Sequence, residues 1–216
     1  MADHRASDSS IDLYWLPLGA GGRCVRWNGR LFEAVSARFA GRSSEELYHS
    51  ALEVNDRGRR FVVKMAPVWN TDAPDRGVVL EGPVGSRWLG RFRFFRYEVR
   101  CWLNGWIPDV AEAVDGPRRL SSDPSQVARL LDMVTSVPSL TWGRDECRTG
   151  EMWNSNSLNS WLLARTGQEV EAIHPPDGGR APGWHAGLVL ASRQRATTLH
   201  DPALHSARPA VSLSRP

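Results

Sequence analysis

The sequence is poor in lysine, in cysteine and in long apolar segments. Lys64 is the only lysine, so every other member of the 27 lysines and arginines is an arginine. This skew indicates the codon usage of a GC-rich genome rather than a function, because the exchange alters no charge. The three cysteines are odd in number and lack metal-like spacing, which argues against a disulfide scaffold. We predict neither a metal nor a cofactor.

Long apolar runs are absent as well, and this bears on location. No run approaches the length of a membrane span, so we predict no transmembrane segment. The first ten residues are polar and lack the apolar core of a secretory signal, which predicts a cytoplasmic protein. The net charge is only +3, too small to indicate a polyanionic partner.

The composition is that of a globular chain, with 41% hydrophobic and 24% charged residues. Both ends are polar and show no periodicity, which is typical of segments outside a folded core. We therefore predict a single domain over residues 11–193, between a disordered tail at 1–10 and another at 194–216.

The apolar pattern predicts an α+β fold in which an antiparallel sheet packs against helices, because no alternation of strands and helices is present. Strands over 47–54 and 61–65 flank Asp56-Arg57-Gly58, which is typical of a hairpin. The further predictions are a helix over 31–39, strands over 77–81, 92–102 and 186–191, and helices starting at 123 and spanning 155–165.

The predicted strand over 92–102 alternates in character. One set of positions is apolar: Phe95, Tyr97, Val99 and Cys101. The other set is charged: Arg96, Glu98 and Arg100. This alternation predicts one buried and one solvated face.

Arginines and aromatic residues also interleave over 91–97, an arrangement that single-stranded nucleic acid can use for phosphate contacts and stacking. An amphipathic strand with an arginine face accounts for the same pattern. Because the net charge is small, we favour the strand and predict that nucleic acid is not a partner.

The most informative segment is Trp153-Asn154-Ser155-Asn156-Ser157, which is followed directly by an apolar helical run. Asn and Ser are favoured at helix N-caps, where their side chains accept from the first backbone N–H groups. The same N–H groups can stabilise a developing negative charge. The segment therefore predicts either a well-capped helix or a site that holds a nucleophile.

A nucleophilic hydroxyl needs a neighbouring base, and histidine has the side-chain pKa nearest neutrality. His49 is the strongest candidate because it lies in a predicted strand, and His185 is a second candidate. A structural histidine in a half-exposed strand explains His49 equally well.

The order of these segments resembles the circularly permuted papain-like hydrolases of the NlpC/P60 superfamily, including the lecithin:retinol acyltransferase-like branch. In that group a histidine strand precedes a helix that opens with Asn-Cys. Here the segment at 48–54 resembles the histidine strand, and Asn154-Ser155-Asn156-Ser157 resembles the nucleophile motif. The chain also resembles an actinobacterial protein family that carries the same Asn-Ser-Asn-Ser element.

The resemblance implies an amide or acyl-ester hydrolase or transferase, with Ser155 as nucleophile, His49 as base and Asn154 helping to stabilise the oxyanion. Serine stands where the family has cysteine, and a hydroxyl depends more strongly on its base than a thiol does. The alternative is a non-catalytic descendant that binds a peptide or small ligand in a groove lined by tryptophans.

Two further assignments stay open in the sequence. The residue that would orient His49 is undetermined, with Glu53, Glu81 and Lys64 as the polar residues weighed for it. Cys24 is an alternative nucleophile that precedes His49, although a lone cysteine is more often a small buried apolar residue.

Overall fold

The structure is a computed structural model that describes residues 9–18, 46–68, 75–108, 110–176 and 178–200; for 198–200 only the backbone is described. The predicted helix over 31–39 and Cys24 lie outside the described residues, as do residues 1–8 and 201–216 of the predicted tails.

The described chain forms one seven-stranded sheet, which confirms the predicted α+β class and the antiparallel pairing. Its order is β4-β5-β3-β2-β1-β6, and β7 pairs in parallel with the beginning of β2. The strands are β1 (Ser10–Pro17), β2 (Glu46–Asp56), β3 (Arg59–Pro67), β4 (Val78–Pro83), β5 (Arg96–Leu103), β6 (Val114–Ser121) and β7 (Gly179–Arg180).

The hairpin between β2 and β3 is confirmed at the predicted turn. Arg57 and Gly58 both have positive φ, 52° and 81°. Two consecutive residues of this kind form the tight turn whose twist matches that of the flanking strands. Asp56 consequently pairs with Arg59 directly across the turn.

In the described part of the chain three α-helices accompany the sheet: α1 (Pro124–Val134), α2 (Ser155–Arg165) and α3 (Trp184–His200). The first two confirm the predicted helices. Asp123 caps α1 by accepting from the Ser125 N–H at 2.8 Å, and Gly167 follows α2 with a φ of 82°.

The strand predicted over 186–191 is wrong, because these residues belong to α3. A short apolar run fits a strand and a buried helix equally well, and here the helix-forming residues that follow extend it to His200. The helix also runs through 194–197, inside the segment predicted as a tail. It packs closely on α2, since a Cβ added at Gly187 would lie 2.1 Å from the Ser157 carbonyl oxygen.

Helix α2 lies at the centre of the molecule, and every residue from Asn156 to Ala164 is buried. The main core fills the space between the helices and one face of the sheet, with Leu13, Leu52 and Val63 on the strands and Leu162 on α2. A smaller apolar cluster lies on the opposite face and contains Tyr14, Leu16, Ala51, Val62 and Ile107.

The strand predicted over 92–102 needs two corrections. It begins at Arg96, because residues 89–91 and 93–95 form two short 3₁₀ turns. Its charged face is not solvated at Glu98 and Arg100, which are both fully buried. The carboxylate of Glu98 accepts two hydrogen bonds from Arg76, at 3.0 and 2.6 Å, and one from Arg100 Nε at 2.7 Å. Pairing of this kind makes burial of charge tolerable, and alternation along a strand cannot reveal it.

Candidate functional site

The start of α2 is a complete capping box, as the sequence predicts for a capped helix. Asn154 Oδ1 accepts hydrogen bonds from the backbone N–H groups of Asn156 and Ser157, at 2.9 and 3.2 Å. The Ser157 hydroxyl accepts from the Asn154 N–H in return, at 3.2 Å, and donates to the Met152 carbonyl. Ser157 is therefore occupied in holding the helix start.

The side chain of Asn154 is fully engaged within the protein. While its oxygen caps the helix, its Nδ2 donates to the Pro182 carbonyl at 2.8 Å. Pro182 lies just before α3, so this bond also joins the beginnings of α2 and α3. In this arrangement Asn154 fixes the backbone beside Ser155.

Asn156 joins the start of α2 to the strand that carries His49. Its Oδ1 accepts from the backbone N–H and the hydroxyl of Ser50, at 2.7 and 2.9 Å. Its Nδ2 donates to the carbonyl oxygens of Tyr48 and Pro182, both at 2.9 Å. One buried amide thus contacts the residues on both sides of His49, and it fixes the helix start against that point of β2.

One turn further along α2, Asn159 repeats this contact. Its Nδ2 donates to the carbonyl oxygen and to the hydroxyl of Ser50, both at 2.9 Å. We call Ser50, Asn156 and Asn159 the amide cluster. Sequence reasoning missed it, although asparagines spaced three apart on an apolar helix, opposite a serine on an apolar strand face, are a detectable signal.

Ser155 is the first residue of α2 and is partly exposed. Within the described part of the chain, neither its hydroxyl nor its backbone N–H makes a hydrogen bond. The first N–H groups of a helix have no partner inside the helix and carry part of its positive end. The position therefore combines a free hydroxyl with a free N–H donor.

His49 is partly buried in β2, where it pairs with Leu16 of β1. Tyr48 and Leu52 pack in the main core beside the helices, whereas Ala51 belongs to the opposite cluster. Strand alternation therefore directs the His49 side chain to the Ala51 face. Ser155 begins α2, which packs on the other face of β2. No hydrogen bond joins His49 and Ser155, so their pairing stays a prediction.

The other candidate base and two candidate orienting residues have partners of their own. His185 is exposed at the beginning of α3, where its backbone N–H, not its ring, donates to Glu151 Oε2 at 3.1 Å. Glu53 lies on the His49 face of β2 and pairs with Arg60 at 2.9 Å. Glu81, the other candidate orienting carboxylate, pairs with Arg96 at 2.8 Å.

The two described cysteines are poor thiolate sources. Burial raises the pKa of Cys101 to about 11, and burial also raises the pKa of Cys147. A raised pKa leaves little thiolate at neutral pH.

Lys64 occupies a place that the sequence did not reveal. It lies on β3 opposite Arg100, and its ammonium is 5.0 Å from the Trp102 ring and 5.2 Å from the Trp106 ring. Its Nζ also donates to the Trp106 carbonyl at 3.2 Å. Burial, with a contribution from the charge of Arg100, lowers the pKa of Lys64 to about 8.

Two further features, a metal-binding group and a membrane-spanning helix, are absent from the described residues. These residues contain no group of three or more His, Cys, Asp and Glu side chains that could hold a metal ion. Among them, no helix is long and apolar enough to cross a membrane.

Comparisons of the chain with protein-family models, with curated proteins and with solved structures find no match.

Proposed function

We propose that the protein hydrolyses or transfers an amide or acyl-ester group through Ser155, with a histidine as the base. His49 is the base that the resemblance implies, and His185 is the second candidate. The observation that carries this proposal is the start of α2, where the free hydroxyl and the free N–H of Ser155 lie at the positive end of the helix. Asn156 fixes this helix start against the backbone of the histidine strand, although strand alternation turns the His49 side chain to the opposite face.

In the proposed reaction, the Ser155 hydroxyl transfers its proton to the imidazole of this histidine base as its oxygen attacks the substrate carbonyl carbon. The negative charge that develops on the carbonyl oxygen is stabilised by the free backbone N–H of Ser155 and by the positive end of α2. The imidazolium then protonates the leaving amine or alcohol, and an acyl-serine is formed. Water or a second alcohol or amine releases the acyl group in the reverse sequence of proton transfers.

We assign Asn154 a positioning role in this scheme rather than the direct oxyanion contact expected from the motif. Both polar atoms of its side chain are already bonded, to the helix start and to Pro182. A papain-like arrangement, in which the start of a central helix meets a histidine strand, is part of the same proposal. The contact between α2 and β2 supports it.

A second candidate function is the binding of a peptide or small ligand without catalysis, by a papain-like protein that has lost its hydrolase or transferase activity. The absence of a hydrogen bond between Ser155 and His49 favours it, because a hydroxyl needs an aligned base to attack. In that case the free N–H of Ser155 would hold a carbonyl or carboxylate oxygen of a bound ligand.

The test replaces the Ser155 hydroxyl with a thiol. The alkylation rate of this thiol depends on the charges around it, so it can be measured without a known substrate. In Ser155→Cys, a nearby His49 imidazole would stabilise the thiolate, so alkylation by iodoacetamide at pH 6 should be about tenfold faster than in the double variant Ser155→Cys/His49→Gln. Mass spectrometry assigns the modified position, and the native Cys101 and Cys147 serve as slowly reacting internal references.

The double variant keeps the helix dipole and removes only the imidazole, so it separates the two influences on the thiol. Equal alkylation rates in the single and double variants, across the pH range, would reject His49 as the base. Ser157→Cys is the matched control, because position 157 faces the Met152 carbonyl, and His49→Gln should leave its reactivity unchanged.

A further inference from the structure

Four large aromatic side chains are exposed within residues 88–95, between β4 and β5. The exposed fractions are 65% for Trp88, 49% for Phe92, 67% for Phe94 and 37% for Phe95. We call these four residues the aromatic patch. Single exposed apolar side chains are ordinary, whereas a contiguous group of large ones marks a surface that contacts something else.

The charges around the aromatic patch have one sign. Residues 82–97 include four arginines and no acidic residue. Two of the arginines are neutralised by partners outside the segment, since Arg87 pairs with Glu146 and Arg96 pairs with Glu81. The remaining two, at positions 91 and 93, form no ion pair with any described residue. The patch therefore carries two uncompensated positive charges.

One of these charges is held directly among the rings. The guanidinium carbon of Arg91 lies 3.8 Å from the centre of the Trp88 ring and 5.5 Å from that of Phe92. A guanidinium stacked in this way keeps its edge available for an anion while its face covers apolar surface.

The backbone of the same segment is largely satisfied within itself. The N–H of Phe92 donates to Leu89 at 2.9 Å, that of Phe95 donates to Phe92 at 2.9 Å, and that of Gly90 donates to Ser86 at 3.3 Å. Internal bonding of this kind lowers the cost of moving a turn into a region that is poor in water.

We propose that the aromatic patch docks the protein onto an anionic phospholipid surface. The rings of Trp88, Phe92, Phe94 and Phe95 enter between the headgroups, while Arg91 and Arg93 contact phosphates. Aromatic rings combined with arginine suit the membrane interface, where the rings enter the apolar boundary and the guanidinium groups stay with the phosphates. This docking does not depend on the reaction proposed for Ser155.

The ring geometry favours lipid over single-stranded nucleic acid. Trp88 and Phe92 are inclined at 74°, and Phe94 and Phe95 at 84°. One face of Trp88 is covered by Arg91. Successive bases need open ring faces on which to stack, and these edge-on pairs do not offer a series of them.

The test is co-sedimentation of the full chain with phosphatidylcholine vesicles, with and without phosphatidylserine. We expect binding to the vesicles that contain phosphatidylserine and weaker binding at high salt, because the arginine contribution is screened. Trp88→Ser/Phe94→Ser should lower the partition coefficient by about tenfold or more. Arg91→Gln/Arg93→Gln should lower it by about tenfold on the anionic vesicles only.

The control variants change exposed apolar residues and exposed arginines elsewhere. Leu103→Ser/Val110→Ser removes apolar side chains that are 43% and 45% exposed, and Arg57→Gln/Arg148→Gln removes two exposed charges. Both should sediment like the parent chain. The proposal is overturned if the parent chain does not bind anionic vesicles at low salt, or if the control variants lose as much binding as the patch variants. Patch-dependent retention on a single-stranded oligonucleotide without vesicle binding would also overturn it.

Discussion

Two buried polar clusters lie on opposite faces of the same sheet. One pairs its polar atoms through neutral hydrogen bonds, and the other pairs them through opposite charges. The amide cluster of Ser50, Asn156 and Asn159 joins β2 to α2 through neutral groups. A second cluster on the other face, which we call the ion cluster, consists of Arg76, Glu98 and Arg100. Apart from the partly exposed Arg76, the residues of both clusters are buried, so their polar atoms depend on partners inside the protein.

The clusters differ in the free energy that is lost when one partner is removed, and in which elements they join. A broken neutral hydrogen bond leaves a buried dipole unsatisfied, whereas a lost counter-charge leaves a buried ion. The ion cluster should therefore be the more sensitive of the two to substitution and to pH. The amide cluster should matter more for placing α2, because its hydrogen bonds connect the helix to β2 and those of the ion cluster do not.

The largest effect is expected for Glu98→Gln, which removes the buried carboxylate charge that lies between Arg76 and Arg100. We expect a loss of about 3–5 kcal/mol in the free energy of unfolding, measured by urea denaturation. Glu81→Gln is the matched control, because Glu81 lies opposite Glu98 on β4 and forms a partly exposed pair with Arg96. A loss from Glu98→Gln no larger than the control's would show that the ion cluster contributes little.

The same variant tests the pH dependence of the ion cluster. Burial alone would raise the pKa of Glu98, but the hydrogen bonds from Arg76 and Arg100 outweigh it and hold this pKa below its ordinary value of 4.5. The stabilisation is therefore present above pH 4.5 and is lost as the pH falls through the lowered pKa. In Glu98→Gln this part of the acid unfolding curve should be missing.

A smaller loss, of about 2 kcal/mol, is expected for Asn156→Ala, because its four hydrogen bonds disappear while the Tyr48 carbonyl and the Ser50 N–H stay buried. Asn154→Ala, which removes only the cap and the Pro182 contact, should cost about 1 kcal/mol. Urea denaturation at two pH values provides the comparison. A loss from Asn156→Ala that varied with pH as strongly as that from Glu98→Gln would contradict the neutral character of the amide cluster.

The last effect is confined to alkaline pH and is expected at Lys64, the cation opposite Arg100. Its pKa is lowered from 10.5 to about 8, so between these values the unfolded chain binds more protons than the folded one. Stability should therefore gain a rising contribution from pH 8 to pH 10.5, and Lys64→Met should remove it. The difference between the urea midpoints of the two proteins, followed across this range, measures the contribution. An unchanged difference would mean that Lys64 titrates normally.

Much of the local structure follows from the sequence alone. The Asp56-Arg57-Gly58 turn, the start of α1 after Asp123 and the bounds of α2 are all where the pattern predicts them. These features depend on neighbours within one turn or one hairpin, so the information lies close together in the chain. The domain limits and the pairing of Ser155 with His49 stay predictions.

The sequence was least informative where contacts join distant positions. Residues 186–191 read as a strand, but they lie in a helix that packs on α2. The arginines around 91–97 were interpreted as one face of a strand, whereas residues 89–95 turn outward and expose their rings. In both cases a short apolar run was compatible with two structures, and long-range packing selected one.

The sequence by itself determined the helix start that carries Ser155, the strand that carries His49 and the α+β class, because capping, alternation and turn chemistry are local. Only the tertiary structure decided that Asn156 binds the residues on both sides of His49 and that Glu98 and Arg100 are buried together. A polar side chain is buried at little cost only where it finds hydrogen-bond or ion-pair partners from elsewhere in the chain, and the fold decides which residues those are.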